Sequence, residues 1–169
     1  MITVLNILLV EDNPGDIRLL QEILREVGTT EYQITPAMTL AAAIDRLSIS
    51  DPVPFDIILL DLSLPDSLGM ASFLSLHRQA PQIPIVVLTG LDDEMLALSA
   101  MQQGAQDYLI KGQVDCHLLR RSIRYAIERE RADTALRQAK IELEQRVIER
   151  THDLQHINHQ LELELRERQ

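Results

Sequence analysis

Short, almost wholly apolar runs alternate in this chain with segments of helical periodicity, and four of the runs end in a polar residue. Val4 to Val10 leads into Glu11-Asp12, Phe55 to Leu60 into Asp61, Ile85 to Leu88 into Thr89-Gly90, and Tyr108 to Ile110 into Lys111. Strand and helix in alternation predict a parallel sheet covered by helices on both faces. In such a sheet, ligands bind beyond the carboxyl ends of the strands. Carboxylates, a hydroxyl and an ammonium group at four such ends are therefore expected to converge on one small site.

The helical segments carry their own punctuation. Asn13 is placed to cap a first helix with Pro14 at its first position; Ile17, Leu20, Ile23, Leu24 and Val27 follow helical spacing, and Gly28 closes it. A weak second strand is expected around Tyr32–Thr35 and a helix from about Thr39 to Leu47. The third strand leads into a loop, Ser63 to Gly69, and then a helix ending near Gln79, before Pro81. Another helix spans about Asp93 to Gln103, closed by Gly104, and the last starts at Val114.

That last helix has no evident stop, since Val114 to Gln169 contains neither Gly nor Pro. Leu136, Leu143, Val147, Leu154, Ile157 and Leu161 are spaced by seven, four, seven, three and four, the a/d pattern of a coiled coil. Lys140 and Arg150 interrupt the seam. The expected organisation is a globule over residues 1–128 and a dimerising helical extension over 129–169. His152, His156 and His159 share one helix face at i, i+4 and i+7. Three such imidazoles suit Zn²⁺ or Ni²⁺, but the heptad register puts them outside the seam, so they read as a solvated face.

Charge narrows the function. Residues 1–114 hold five basic against fifteen acidic side chains and so carry the entire net charge of -10, while the rest is balanced. An acidic globule lacks the basic patch of a nucleic-acid binder and suits a hard cation. Cys116 is the only cysteine, which excludes an intramolecular disulfide and fits a cytoplasmic protein. No apolar run approaches the ~18 residues of a membrane span.

A flavodoxin-like order of 2-1-3-4-5 makes strands one and three neighbours at the topological switch point. Asp12 and Asp61 then face each other, and two close carboxylates favour Mg²⁺ between them. Asp61 can also act as a nucleophile and form an aspartyl phosphate. Thr89 can donate its hydroxyl to a phosphoryl oxygen, and Lys111 can hold another as a point charge. Metal, ammonium and hydroxyl together suit in-line phosphoryl transfer. Taken singly, Asp56, Asp66, Asp92 and Asp93 read as turn, cap or surface groups.

With these residues in order at the strand ends, the chain resembles the receiver domain of two-component response regulators over roughly residues 3–128. The resemblance implies that Glu11 and Asp12 are the acidic pair and Asp61 the phosphoacceptor. Thr89 is then the switch hydroxyl, Tyr108 the switch aromatic, Lys111 the family's lysine, and Leu64-Pro65-Asp66 the loop after the acceptor. It further implies that the backbone carbonyl of Ser63 completes a Mg²⁺ shell with Glu11, Asp12 and Asp61, and that a histidine kinase or phosphotransfer protein is the donor. One position departs from the pattern: Gly112 stands where receivers commonly have a proline. The helical tail, especially Leu143 to Thr151, resembles linkers that join receivers to sensor, kinase or diguanylate cyclase modules.

The leading expectation is a signal receiver rather than an enzyme, homodimeric through its tail and part of a longer protein. A standalone dimeric regulator is the alternative within that class. Phosphatases of the haloacid dehalogenase type also use an Asp nucleophile on a doubly wound sheet, but want a second Asp where Ser63 stands. A structural coiled-coil protein with a degenerate receiver is a third possibility, which the intact signature opposes. His152-Asp153-Leu154 is similar to the start of a kinase phosphoacceptor box, but Gln155 and Ile157 replace the Arg and Pro expected after it.

Overall fold

The elements of the computed structural model are β1 (Thr3–Val10), α1 (Pro14–Arg25), β2 (Thr30–Ala37), α2 (Leu40–Ser48), β3 (Ile57–Asp61), β4 (Ser63–Leu64) and β5 (Ser67–Leu68). They continue with α3 (Met70–Gln79), β6 (Ile85–Thr89), α4 (Glu94–Gln102), β7 (Asp107–Ile110) and α5 (Cys116–Glu167). The structure describes residues 3–25, 30–49, 54–90 and 93–168; Val27, Gly28 and Asp92 lie outside them. The chain divides into two compact units, Met1–Glu130 and Arg131–Gln169.

In the first unit β2-β1-β3-β6-β7 form one parallel sheet, which is the expected 2-1-3-4-5 order once the two-residue strands β4 and β5 are set aside. Period-two alternation sends side chains to opposite faces. Leu8 and Val10, Ile58 and Leu60, and Ile85 and Val87 pack with α2 and α3 residues such as Leu47, Phe73 and Leu76. Ile7 and Leu9, Ile57 and Leu59, and Val86 and Leu88 pack with Leu20 and Leu24 of α1 and Leu119 and Ile123 of α5. Every residue of β3 and β6 is buried, as central parallel strands require.

Helix starts follow local chemistry. Asn13 Oδ1 accepts from the Gly15 N–H at 2.8 Å and Pro14 opens α1, as expected. Thr39 Oγ1 accepts from the Ala42 N–H at 3.1 Å. The last helix begins at Cys116 rather than Val114, because Asp115 Oδ1 accepts from the Leu118 N–H at 2.7 Å and so caps it. The expected loop from Ser63 to Gly69 is instead a minimal antiparallel hairpin, with Ser63 opposite Leu68, that ends on Gly69 at φ +60°.

Asp66 sits at the tip of that hairpin and caps a helix far from it in sequence. Its two carboxylate oxygens accept from the Leu40 and Ala41 N–H groups of α2, each at 2.9 Å. Those two hydrogen bonds hold its carboxyl below the ordinary 3.8. A depressed folded-state pKa gives stability that is present above the unfolded pKa and lost as pH falls through the folded one. Asp66→Asn is therefore expected to melt at lower temperature than the parent at pH 7, with the gap closing below about pH 4. Parallel melting curves at both pH values check this.

In the second unit, described to Arg168, α5 continues as a solvated helix on which Leu136, Leu143, Val147, Leu154, Ile157 and Leu161 are all exposed. The helix fits the coiled-coil pattern, and within one chain its apolar seam stands uncovered.

Candidate functional site

The β1–β3 register pairs Val10 with Leu60, so Glu11 and Asp61 emerge side by side where those strands end. Glu11 is fully buried, Asp61 is 5% exposed and Asp12 is half-buried. Oxygens of Glu11, Asp12 and Asp61 lie within 4.8 Å of one another. Asp61 is already oriented: Oδ1 accepts from the Ser63 N–H at 3.0 Å and Oδ2 from Lys111 Nζ at 2.7 Å.

Lys111 bridges the cluster. Its Nζ lies 2.6 Å from Glu11 Oε2, 2.7 Å from Asp61 Oδ2 and 3.1 Å from Asp16 Oδ2. The Glu11 contact is close, but its angle gives Oε2 no directed hydrogen bond, leaving a buried acceptor that is paired only by charge. Burial alone would push the Lys111 ammonium down; the hydrogen bond to Asp61 and the close contact with the Glu11 carboxylate outweigh it and hold the pKa well above the ordinary 10.5. Burial pushes the Glu11 carboxyl above 4.5, against the pull of Lys111 and of the Asn13 N–H, while the charge on Asp61 adds to the rise. Three carboxylates thus share one ammonium in a half-dry site, and a further cation would relieve the repulsion among them.

Asp16 is the residue that the sequence reading missed. It lies in the first turn of α1, where an acidic residue has an ordinary explanation in the helix dipole. Only the fold shows that this turn stands above the strand ends and aims its carboxylate at Lys111.

Thr89 ends β6 and is buried, with its hydroxyl donating to the Gly90 carbonyl at 2.7 Å. Its own carbonyl accepts from the Lys111 N–H at 2.7 Å, so the hydroxyl and the ammonium sit on backbones that are directly bonded. Tyr108 pairs with Val87 in β7 and packs, half-buried, against the core on the α2–α4 side. Gly112 has φ +84°, a conformation that a proline ring forbids, so glycine is the residue this turn requires. His152, His156 and His159 are exposed, and among the described residues the acidic cluster is the one group of potential ligands that converges.

The donor set fits a hard divalent cation. It offers carboxylate oxygens only, from three side chains, one of which keeps a buried oxygen without a directed hydrogen bond.

Comparison with known proteins agrees with this geometry. Residues 7–124 match the response regulator receiver domain family. The chain is 33% identical over 107 residues to the swarming motility regulation protein RssB of Serratia marcescens, covering 63% of this chain and 46% of that protein. It is 33% identical over 134 residues to the KDP operon transcriptional regulatory protein KdpE of Escherichia coli, covering 77% of this chain and 54% of that one. It therefore spans about half the length of these relatives. Among solved structures, a response regulator receiver domain protein from Clostridium thermocellum superposes with a TM-score of 0.66 at 23% identity, over 76% of this chain and 98% of that one. A structure described as an adenylate cyclase from Rhodopirellula baltica superposes with a TM-score of 0.68 at 22% identity, over 79% and 95%. At such identities these likenesses speak to the fold alone.

Proposed function

Since the chain belongs to the response regulator receiver domain family, we propose that Asp61 is its phosphoacceptor and that the donor is the phosphohistidine of a kinase or phosphotransfer protein. One observation carries the assignment. Asp61 is the buried carboxylate at the end of β3 that both the Ser63 N–H and Lys111 Nζ orient, beside Glu11 and Asp12.

An Asp61 oxygen attacks phosphorus, the O–P bond forms as the P–N bond breaks, and the imidazole keeps the electron pair. Lys111 holds an oxygen of the incoming group while remaining charged throughout the neutral range. Glu11, Asp12, Asp61 and the Ser63 carbonyl would hold Mg²⁺, which would supply further neutralisation of charge on the phosphoryl group. Thr89 turns its hydroxyl from the Gly90 carbonyl to a phosphoryl oxygen, and the space it vacates admits the Tyr108 ring. Thr89→Ala is accordingly expected to accept phosphate at a near-parental level while losing any phosphorylation-dependent shift in assembly or output. A parental shift in that variant refutes the coupling.

In this reading residues 1–128 are the receiver and 129–169 a helical extension that dimerises and carries the state onward within a longer cytoplasmic protein. The chain itself is a receiver rather than a turnover enzyme, and binds neither nucleic acid nor membrane. The uncovered seam supports the dimerising extension, and the concentration of negative charge in residues 1–114 opposes nucleic-acid binding. With acetyl phosphate and Mg²⁺ the chain is expected to gain one phosphoryl group, and with a chelator almost none. Rapid continuous release of phosphate without accumulation of labelled chain would favour a phosphatase instead.

A further inference from the structure

Away from the strand ends, the first unit has an open cavity of about 440 Å³ between the start of α5 and the edge of the sheet. His117, Arg120, Arg121 and Arg124 line one wall, and Thr30 and Tyr32 of β2 the other. Among the described residues that line it there is no carboxylate. This is a concentrated basic feature on a globule whose first 114 residues carry ten excess negative charges.

Pairing along the helix does not explain the grouping. Arg120 and Arg124 are four apart, and Arg121 and Arg124 three apart, spacings at which like charges on a helix repel. Part of the wall is nonetheless built. The Arg120 guanidinium lies over the Tyr32 ring at 5.8 Å and donates from Nη2 to the Leu24 carbonyl at 3.3 Å. Arg124 lies 5.3 Å over Tyr125. Arg121 and Arg124 are exposed at the mouth.

We infer that this groove is a binding site for a mononucleotide, whose phosphates engage Arg121 and Arg124 and whose base packs beside the Tyr32–Arg120 pair. Guanidinium forks match phosphate oxygens bidentately and also stack on planar groups. The cavity lies within the range of about 300–1,000 Å³ typical of small-molecule sites, larger than a bare phosphate needs. A compact anion suits it better than a polymeric one, because the acidic globule repels negative charge extending beyond the groove.

The test uses the full ¹⁵N-labelled chain with EDTA present, so that nucleotide cannot reach the acidic cluster through a metal. ADP and GDP are titrated separately, beside inorganic phosphate, adenosine and an oligoglutamate peptide. Saturable amide shifts are expected at Thr30, Tyr32 and residues 117–124 with a nucleotide and not with adenosine. Arg121→Glu combined with Arg124→Glu is expected to weaken binding about tenfold or more, since two charge-assisted contacts are lost. Both positions are exposed, and a parental melting curve for the double variant shows that it is folded. Three results overturn the inference: no saturable shift with either nucleotide, equal affinity in the double variant, or shifts centred on Glu11 and Asp61. Phosphate or oligoglutamate binding as tightly as nucleotide overturns the ligand class, and marks the groove as a general anion or acidic-peptide surface.

Discussion

Leu143→Asp combined with Leu154→Asp is expected to turn a dimer into a monomer at micromolar concentration. Both leucines lie on the seam of α5, 59% and 60% exposed in a single chain, and Leu136, Val147, Ile157 and Leu161 are exposed to a similar degree. Covering a leucine is worth about 1.5–3 kcal/mol. Six such residues from each of two helices offset an association cost estimated at roughly 4–15 kcal/mol. Two carboxylates in the seam remove part of that gain and add a desolvation penalty. The receiver unit opposes association at low salt, because its residues 1–114 carry ten excess negative charges. A chain ending near Arg131 is expected to be monomeric for the same reason. Sedimentation decides the matter: if both proteins stay as dimeric as the parent, the interface lies in the globule.

Lys111→Met is expected to lose about 2–3 kcal/mol of folding stability in chelator, somewhat less than breaking a fully buried ion pair costs, because a quarter of the lysine side chain is exposed. The ammonium balances Glu11 and Asp61, both nearly inaccessible to water, together with Asp16. Without it their charges repel with little screening. Mg²⁺ placed among the same oxygens is expected to restore more stability to the variant than it adds to the parent, since a ligand that binds only the folded state stabilises it by mass action. Urea melts with EDTA and with Mg²⁺ measure both effects. Equal stability in chelator, or an equal Mg²⁺ increment in the two proteins, contradicts this electrostatic account.

The legible parts of the chain were those whose signal is local. β3 and β6 are buried on both faces and so read as unbroken apolar runs, each ending in the side chain that matters. β2 read as weak and short because it is the sheet edge, half-exposed along most of its length, where Pro36 is tolerated opposite Leu9. The hairpin after Asp61 escaped because two-residue strands have no measurable period. Asp66 was legible as a turn or cap group, though not which helix it caps, and Asp16 was missed altogether, for another reason. Each acts on a partner distant in sequence, the start of α2 and the Lys111 ammonium, and only the folded chain brings them together. Gly112 was visible as a departure from the family pattern, but its positive φ was not. Neither was the basic groove, whose two walls are separated by more than eighty residues.

The most direct test of the account locates the phosphoryl group. The chain is treated with acetyl phosphate and Mg²⁺, reduced with borohydride to convert an aspartyl phosphate to homoserine, digested and sequenced by mass spectrometry. Conversion is predicted at Asp61, to depend on Mg²⁺, and to vanish in Asp61→Asn without reappearing elsewhere. Conversion at Asp12, Asp16 or another carboxylate in the parent chain, or undiminished labelling of Asp61→Asn, contradicts the assignment.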